Sequence, residues 1–225
     1  MIRVVVAGAK GRMGRKVSEL VRSAKDLALT AEIDAGDSLE KAAGGCDVIV
    51  DFSTAEASAQ HAAIAADAGR PIVIGTTGLS DAEMDALRTA AKKVPVVYAP
   101  NMSIGVNVMF RLIATAASAL GPDYAVGIEE THHEHKLDRP SGTAKRMAEI
   151  AREKRGGEAI DVQSIRQGEV VGDHEIRFSA EGEELSIVHR ASNRGIFARG
   201  AVAATRWAVG KPAGLYDMAD VLGFK

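Results

Sequence analysis

One cysteine, Cys46, stands in 225 residues, so no disulfide can form within the chain and a reducing compartment is the expected setting. Aromatic residues are scarce, at 4 %. With 46 % hydrophobic residues, the core must then be built from Ala, Val, Ile and Leu, the composition of helix-covered parallel sheets. No stretch reaches the ~18 apolar residues of a membrane span. The first apolar run begins at Ile2, which leaves no room for the basic and apolar regions of a secretion signal. A net charge of -2 gives no electrostatic reason for a nucleic-acid or anionic-membrane partner. What remains is a soluble, cytoplasmic protein with a small-molecule partner. The length is large for one domain and small for two full ones.

The order of patterns resolves this. Ile2 to Ala7, Leu27 to Ile33, Asp47 to Phe52, Pro71 to Ile74 and Val94 to Tyr98 are short apolar runs that predict buried strands. Helical patterns at Arg15 to Ala24, Ala55 to Ala68 and Ser80 to Lys92 separate most of them, the last opened by a Ser80/Glu83 capping box. Strands alternating with helices predict an α/β fold, a Rossmann-type doubly wound parallel sheet with ligands at the strand C-terminal ends. The pattern then changes. Helices are predicted at Ile104 to Leu120 and Thr143 to Arg155. Strands at Tyr124 to Glu130, Ile160 to Arg166, Glu175 to Ala180 and Glu184 to His189 suggest a second sheet with one buried face. Val162 and Ile165 on opposite sides suggest a far face with less polarity than a small exposed sheet needs. A helix over Ala198 to Val209 returns to the first domain. We therefore expect a dinucleotide-binding domain at 1–102, completed by 200–225, and an inserted α+β domain at 103–199 for substrate binding and oligomerisation.

Three constellations carry chemistry. Gly8-x-x-Gly11-x-x-Gly14 lies between a strand and a helix, where glycine lets backbone approach a pyrophosphate and the helix N-terminus offers amide donors. Asp34 ends the second strand about twenty residues on, placed to accept from an adenosine ribose. It repels a 2'-phosphate, and with Ala35 next and no Arg or Lys in sight, NADH is favoured over NADPH. The turns Gly75-Thr76-Thr77-Gly78 and Ala99-Pro100-Asn101-Met102 end parallel strands, where they could orient a nicotinamide amide or serve as ordinary turns. The third constellation is His132-His133-Glu134-His135-Lys136-Leu137-Asp138, followed by Arg139-Pro140-Ser141-Gly142-Thr143. A metal site is the rival reading, but no second ligand cluster exists and neighbours on a strand point to opposite faces, so no metal is expected. Imidazoles titrate near neutral pH and Lys136 can donate a proton, which favours acid–base chemistry over a solvated loop. Ser141 is a good N-cap, and the amides of Gly142 and Thr143 would hold a carboxylate with help from Lys136. His61 has the placement of a surface or packing residue, and His174 and His189 that of structural strand residues. Arg194 is a loop cation that could reach substrate or only solvate its loop.

These residues together resemble the dihydrodipicolinate reductase family over essentially the whole chain. The likeness rests on Val6 to Arg15, Asp51-Phe52-Ser53, Gly75 to Gly78, Ala99 to Asn107 and, above all, Glu130 to Ala144. The resemblance implies NAD(P)H-dependent reduction of 4-hydroxy-tetrahydrodipicolinate in lysine and diaminopimelate biosynthesis, with His132 as proton donor and acceptor and Lys136 as general acid. It implies that His133, Gly142 and Thr143, with Thr77, bind the dicarboxylate substrate; the residues themselves add Ser141 and Arg194 as candidate substrate contacts. Cofactor contacts are implied at Gly8, Ala9, Lys10, Gly11, Arg12, Met13, Asp34, Gly75, Thr76, Thr77, Ala99, Pro100, Asn101 and Met102. It implies a homotetramer built through the second-domain sheet. The chain departs from the family by shortenings between Asp34 and Asp47 and between Arg155 and Ile160, and by Arg139 where Ala is frequent. Two other readings share the N-terminal pattern: an amino-acid dehydrogenase of the aspartate type, and an NADH-sensing module without catalysis. Neither has a use for the His132 to Thr143 block.

Overall fold

The structure is a computed structural model that describes residues 1–157 and 160–224. Contacts divide the chain into two units, Met1–Ile104 with Gly195–Lys225, and Gly105–Arg194. The return to the first unit therefore comes at Gly195, ahead of the expected 200. Residues 158 and 159, where the second shortening was expected, lie outside the described residues.

The first unit opens with β1 (Ile2–Ala7), α1 (Arg12–Ser23), β2 (Leu27–Ile33), α2 (Leu39–Ala43), β3 (Val48–Asp51), α3 (Ala55–Asp67), β4 (Ile72–Ile74), α4 (Asp81–Ala90) and β5 (Pro95–Tyr98). Helices start where a short polar side chain can take a first-turn amide: Ser38, Thr54 and Ser80 each do so. The Ser80/Glu83 capping box forms as predicted. The short helix α2 was not predicted, because five residues are too few to show a 3.6 period.

The second unit contains α5 (Ile104–Ala119), β6 (Ala125–His132), α6 (Gly142–Arg155), β7 (Val162–Arg166), β8 (Gly172–Ala180) and β9 (Glu183–Ala191). Its sheet runs β7-β6-β8-β9, with β6 and β7 parallel and the other pairs antiparallel. Ile128, Ile176 and Phe178 face inward onto Val106, Met109 and Ile113 of α5 and Met147 and Ile150 of α6. The far face corrects the sequence-based expectation. Register places Glu129, Thr131, Gln163, Asp173, Glu175, Arg177, Ser186 and Arg190 there, with only Ile165 and Val188 apolar among these neighbours. Val162 turns inward to the core, so the supposed shortage of polar surface does not exist.

The chain closes with α7 (Gly195–Ala208), β10 (Gly214–Tyr216) and α8 (Met218–Val221). The first unit's sheet is six parallel strands in the order β10-β5-β4-β3-β1-β2. Strand alternation sends Val4, Val6, Val48, Val50, Val73 and Val97 to a layer with α1 and α7. Val5, Ala7, Ile49, Ile72, Ile74 and Val96 go to the opposite layer with α2, α3 and α4. Burial on both faces is why these strands are unbroken apolar runs in the sequence. Strand order reverses between β1 and β3, and in such sheets the ligand crevice lies beyond the strand ends at that point.

Candidate active site

At the end of β1 the chain turns against β3. Gly8 has φ +73°, and a Cβ there would lie 2.4 Å from the Phe52 carbonyl oxygen. At Gly14 a Cβ would lie 2.1 Å from the Gly8 carbonyl oxygen. These two glycines are consumed by internal packing of the turn against β3 and α1. Gly11 is the N-cap of α1 and leaves that helix without a side-chain cap or a first-turn acid. By contrast, α2, α3 and α4 have both a capping side chain and a first-turn acid. The positive end of α1 thus has neither a side-chain cap nor a first-turn acid, an arrangement that would suit a pyrophosphate.

Asp34, just past β2, accepts from the Lys10 amide at 2.7 Å and from the Ala35 amide at 3.0 Å. These two amide bonds hold its carboxyl below the usual carboxylate range. A cavity of about 230 Å³ lies beside it, lined by Ala9, Lys10, Arg15, Glu32, Asp34 and Asp37. The carboxylates suit ribose hydroxyls, and the glycine turn suits the backbone approach of a dinucleotide. Arg15 and Lys10 correct the expectation that no cation stands near: both line the same cavity, across α1's start from the end of β2.

Asp51, the last residue of β3, organises the neighbouring turn. It is fully buried, and its Oδ1 accepts from the Ser53 amide (2.8 Å), Ser53 Oγ (2.8 Å), Ser58 Oγ (3.0 Å) and Thr76 Oγ1 (3.0 Å). Oδ2 pairs with His61 Nδ1 at 2.5 Å. Burial pushes its carboxyl up, but His61 and the Ser53 donors outweigh it and hold the group low. His61 is therefore the partner of a buried carboxylate and not simply a surface residue. Thr76's hydroxyl is committed to Asp51, whereas Thr77 is exposed. Gly75 admits the Phe52 ring, since a Cβ there would sit 2.2 Å from its Cε1. In the next turn Ala99 is buried and Pro100 exposed, and Asn101 Oδ1 accepts from the Ser103 amide at 2.9 Å. Met102 lies in the core with its carbonyl oxygen 1.6 Å from where a Gly200 Cβ would be, so its side chain serves packing. Arg12 is exposed, and Met13 packs partly on the core.

In the second unit β6 ends at His132, on the inner face with Ile128 and Glu130. Its Nδ1 is hydrogen-bonded to Glu130 Oε2. Burial lowers the imidazole's pKa below the ordinary 6.5, and the Glu130 carboxylate recovers part of that shift. On β8, Gly172 leaves room for the ring, because a Cβ there would lie 2.9 Å from His132 Nε2. The loop beyond holds Lys136, whose Nζ is 2.8 Å from Asp138 Oδ1 and whose amide donates to the His133 carbonyl at 3.1 Å. The ammonium holds the Asp138 carboxyl below its usual range. His133 and His135 rings lie 6.2 Å apart, and His133 Nδ1 is buried without a partner. Ser141 caps α6 by accepting from the Ala144 amide at 3.2 Å. Gly142 and Thr143 form a first turn that carries no acid. Arg194 is half-buried after β9. Among the described residues no three His, Cys, Asp or Glu side chains are grouped to hold a metal ion.

His174 stands beside this cluster on the inner face of β8. Its ring meets His132 edge-on at 5.1 Å, and its Nε2 is 3.3 Å from Ser141 Oγ. Burial, with a smaller push from His132, lowers its pKa from 6.5 to about 3. An unfolded chain therefore takes up this proton first, so the stabilising difference is complete above 6.5 and is lost as pH falls toward about 3. The urea midpoint should drop between about pH 6.5 and about pH 5, and His174→Gln should flatten the drop. Equal slopes for the two proteins would exclude His174 as its source.

Sequence reasoning assigned no role of their own to Glu130, Arg166, Gly172, Asp51 and Arg15. Glu130 had a signal, being an acid two residues before His132 and hence on the same inward face. Gly172 and Arg166 had none, because they meet His132 only through strand register.

A parallel sheet with an uncapped glycine turn and a ribose-type carboxylate belongs to enzymes that bind a nicotinamide dinucleotide. A buried imidazole near a lysine on an inserted unit makes this chain a two-domain oxidoreductase. Comparison with known proteins makes the assignment specific. A family profile described as dihydrodipicolinate reductase, N-terminus, matches residues 2–102, and one described as dihydrodipicolinate reductase, C-terminus, matches residues 105–222. The chain belongs to the dihydrodipicolinate reductase family. The 4-hydroxy-tetrahydrodipicolinate reductase of Anaeromyxobacter dehalogenans is 44 % identical, covering 100 % of this chain and 99 % of the relative. That alignment spans 267 positions against 225 residues here, so this chain is the shorter, as the sequence suggested. A dihydrodipicolinate reductase from a Paenisporosarcina species, solved with dipicolinate bound, matches with a TM-score of 0.86 at 25 % identity over 98 % of each chain. The aspartate dehydrogenase of Thermotoga maritima matches with a TM-score of 0.52 at 14 % identity over 92 % of this chain and 96 % of that one, which shows a shared fold alone. Among the described residues no helix is long and apolar enough to cross a membrane.

Proposed function

We propose that this chain reduces 4-hydroxy-tetrahydrodipicolinate to tetrahydrodipicolinate, in the route to diaminopimelate and lysine. The observation that carries the reading is the His132 to Thr143 block. It sets a buried imidazole anchored through Nδ1, a lysine four residues on, and a capped helix start without acids into one unit. Bound reduced nicotinamide supplies a hydride to the substrate ring. The substrate also gains one proton and loses its hydroxyl as water. Lys136, the general acid, supplies that proton, while the neutral His132, with Nδ1 held by Glu130, takes a proton through Nε2 and returns it, with no net change at the ring. His133, Ser141, Gly142 and Thr143 bind the carboxylates, with Thr77 and Arg194. Assembly into a homotetramer is supported by the family resemblance, not by the polar far face of the second sheet.

NADH is the preferred cofactor and NADPH is also accepted. Three carboxylates repel a 2'-phosphate, while Arg15 and Lys10 on the same cavity temper the repulsion. The test is oxidation of each cofactor with the substrate generated in place by a coupled synthase. Synthase-dependent oxidation with a higher kcat/KM for NADH is expected. Asp34→Ser should shift the NADH/NADPH ratio of kcat/KM toward NADPH by about tenfold, since removing one nearby like charge relieves ~1.4 kcal/mol. An unchanged ratio would remove Asp34 from cofactor selection. Synthase-independent behaviour from a folded, NADH-binding protein would instead support a sensing module.

A further inference from the structure

Among the described acids of the second unit, Glu130 is the most deeply buried, with its side chain 0 % exposed. It lies on the inner face of β6, two residues before His132. Parallel register sets Arg166 of β7 opposite His132, and the Arg166 side chain is only 3 % exposed. Burying such a pair is costly unless every donor and acceptor is satisfied. Here each one is. The five guanidinium N–H donors meet five acceptors. Nη1 donates to Glu130 Oε2 at 3.0 Å and to the Ile165 carbonyl at 2.6 Å. Nη2 donates to Glu130 Oε1 at 2.9 Å and to the Asp138 carbonyl at 2.5 Å. Nε donates to the Lys136 carbonyl at 3.1 Å.

The carboxylate is used as completely. Oε2 takes His132 Nδ1 besides Arg166, and Oε1 takes the Ser141 amide at 3.3 Å besides Arg166. One ion pair therefore touches the proton-carrying imidazole, the main chain of the lysine loop and the start of α6. A pair kept only for stability needs no such reach, and apolar residues would fill the same volume at no greater cost.

We propose that Glu130 and Arg166 are the positioning residues of this site: Glu130 fixes the His132 ring with its proton on Nδ1, and Arg166 pins the Lys136 loop to the same carboxylate. The inference rests on the reading of His132 as the proton carrier. Without Glu130 the imidazole could rotate or carry its proton on Nε2, where it could no longer accept. Without Arg166 the Lys136 and Asp138 carbonyls would lose their shared donor, and the loop would lose its registration against β6.

The experiment compares Glu130→Gln, Arg166→Lys and His132→Gln with the parent enzyme by kcat, KM and pH profile, using NADH affinity to check the fold. Glu130→Gln keeps the shape but removes the charge that raises His132's pKa, so the His132 limb of kcat/KM should move to lower pH and kcat should fall about 10²-fold with NADH affinity unchanged. Arg166→Lys keeps a cation but cannot span five acceptors, and should lower kcat more than it raises KM. A Glu130→Gln enzyme with the parent's kcat and pH limb, beside an inactive His132→Gln, would overturn the positioning role alone. An active His132→Gln would overturn the proton-carrier reading beneath it. Nitrogen NMR of the unmutated protein gives a test that does not depend on a variant folding. The neutral His132 ring should carry its proton on Nδ1, and a proton on Nε2 would overturn the proposal.

Discussion

Replacing Lys136 with Met should lower kcat by about 10²- to 10⁴-fold while NADH affinity stays within about twofold. The asymmetry follows from the division of the chain. Lys136 lies in the second unit, whereas the glycine turn, Asp34 and the cavity beside it lie in the first. Met keeps the length and apolar stem of lysine and removes only the ammonium. Its ion-pair partner, Asp138, is half-exposed, so the freed carboxylate can hydrate and the loop should survive. His132→Gln should give a loss of similar size. Single-turnover oxidation of bound NADH checks the chemical step directly. A Lys136→Met enzyme with near-normal turnover would remove the lysine from the mechanism. One that no longer bound NADH would show that the two units do not divide the work in this way.

The pH dependence separates the two groups. Burial lowers His132's pKa below 6.5 against the pull of Glu130, so the ring is neutral at neutral pH. Its limb in kcat/KM therefore belongs on the acidic side of the profile. A limb attributed to His132 on the alkaline side would have the wrong sign.

The parallel sheet was legible because burial on both faces writes itself as unbroken apolar runs, and because Ser80 with Glu83 announces a helix start locally. The Gly8 to Gly14 turn and the Ser141 cap were legible for the same reason: their partners are close in sequence. The polar far face of the second sheet was not. It depends on which residues of β6 and β7 share a side, and β7 pairs with β6 across a helix and a loop. The Asp51 hub was hidden likewise, since Ser58, His61 and Thr76 reach it from α3 and the turn after β4. The two cations of the cavity beside Asp34 were not legible because Lys10 lies before α1 and Arg15 within it, both far from Asp34 in sequence.

Those same contacts fix what the three glycines of the turn can tolerate, and they are not equivalent. Gly14→Ala should destabilise the first unit by about 3 kcal/mol or more and abolish NADH binding at ordinary concentrations. The added Cβ would lie 2.1 Å from the Gly8 carbonyl oxygen and 2.7 Å from the Ala9 Cα, both backbone atoms that cannot swing aside. Gly8 cannot retreat either, because it sits at φ +73° with its own Cβ position already 2.4 Å from the Phe52 carbonyl oxygen. Relief would have to come from moving α1 off β1, through a core of Val4, Val6, Val17 and Val21. Gly11→Ala is the control. Its Cβ would meet the Gly8 carbonyl oxygen at 3.1 Å and reach the Phe52 carbonyl oxygen at 4.0 Å, so the fold should lose about 1 kcal/mol or less. Gly11 caps the open end of α1, so a methyl group there should weaken NADH binding while the thermal midpoint stays near the parent's. Equal midpoints for Gly14→Ala and the parent would mean that α1 does not pack on the turn this closely. Unchanged NADH affinity in Gly11→Ala would mean that the uncapped end of α1 does not receive the pyrophosphate.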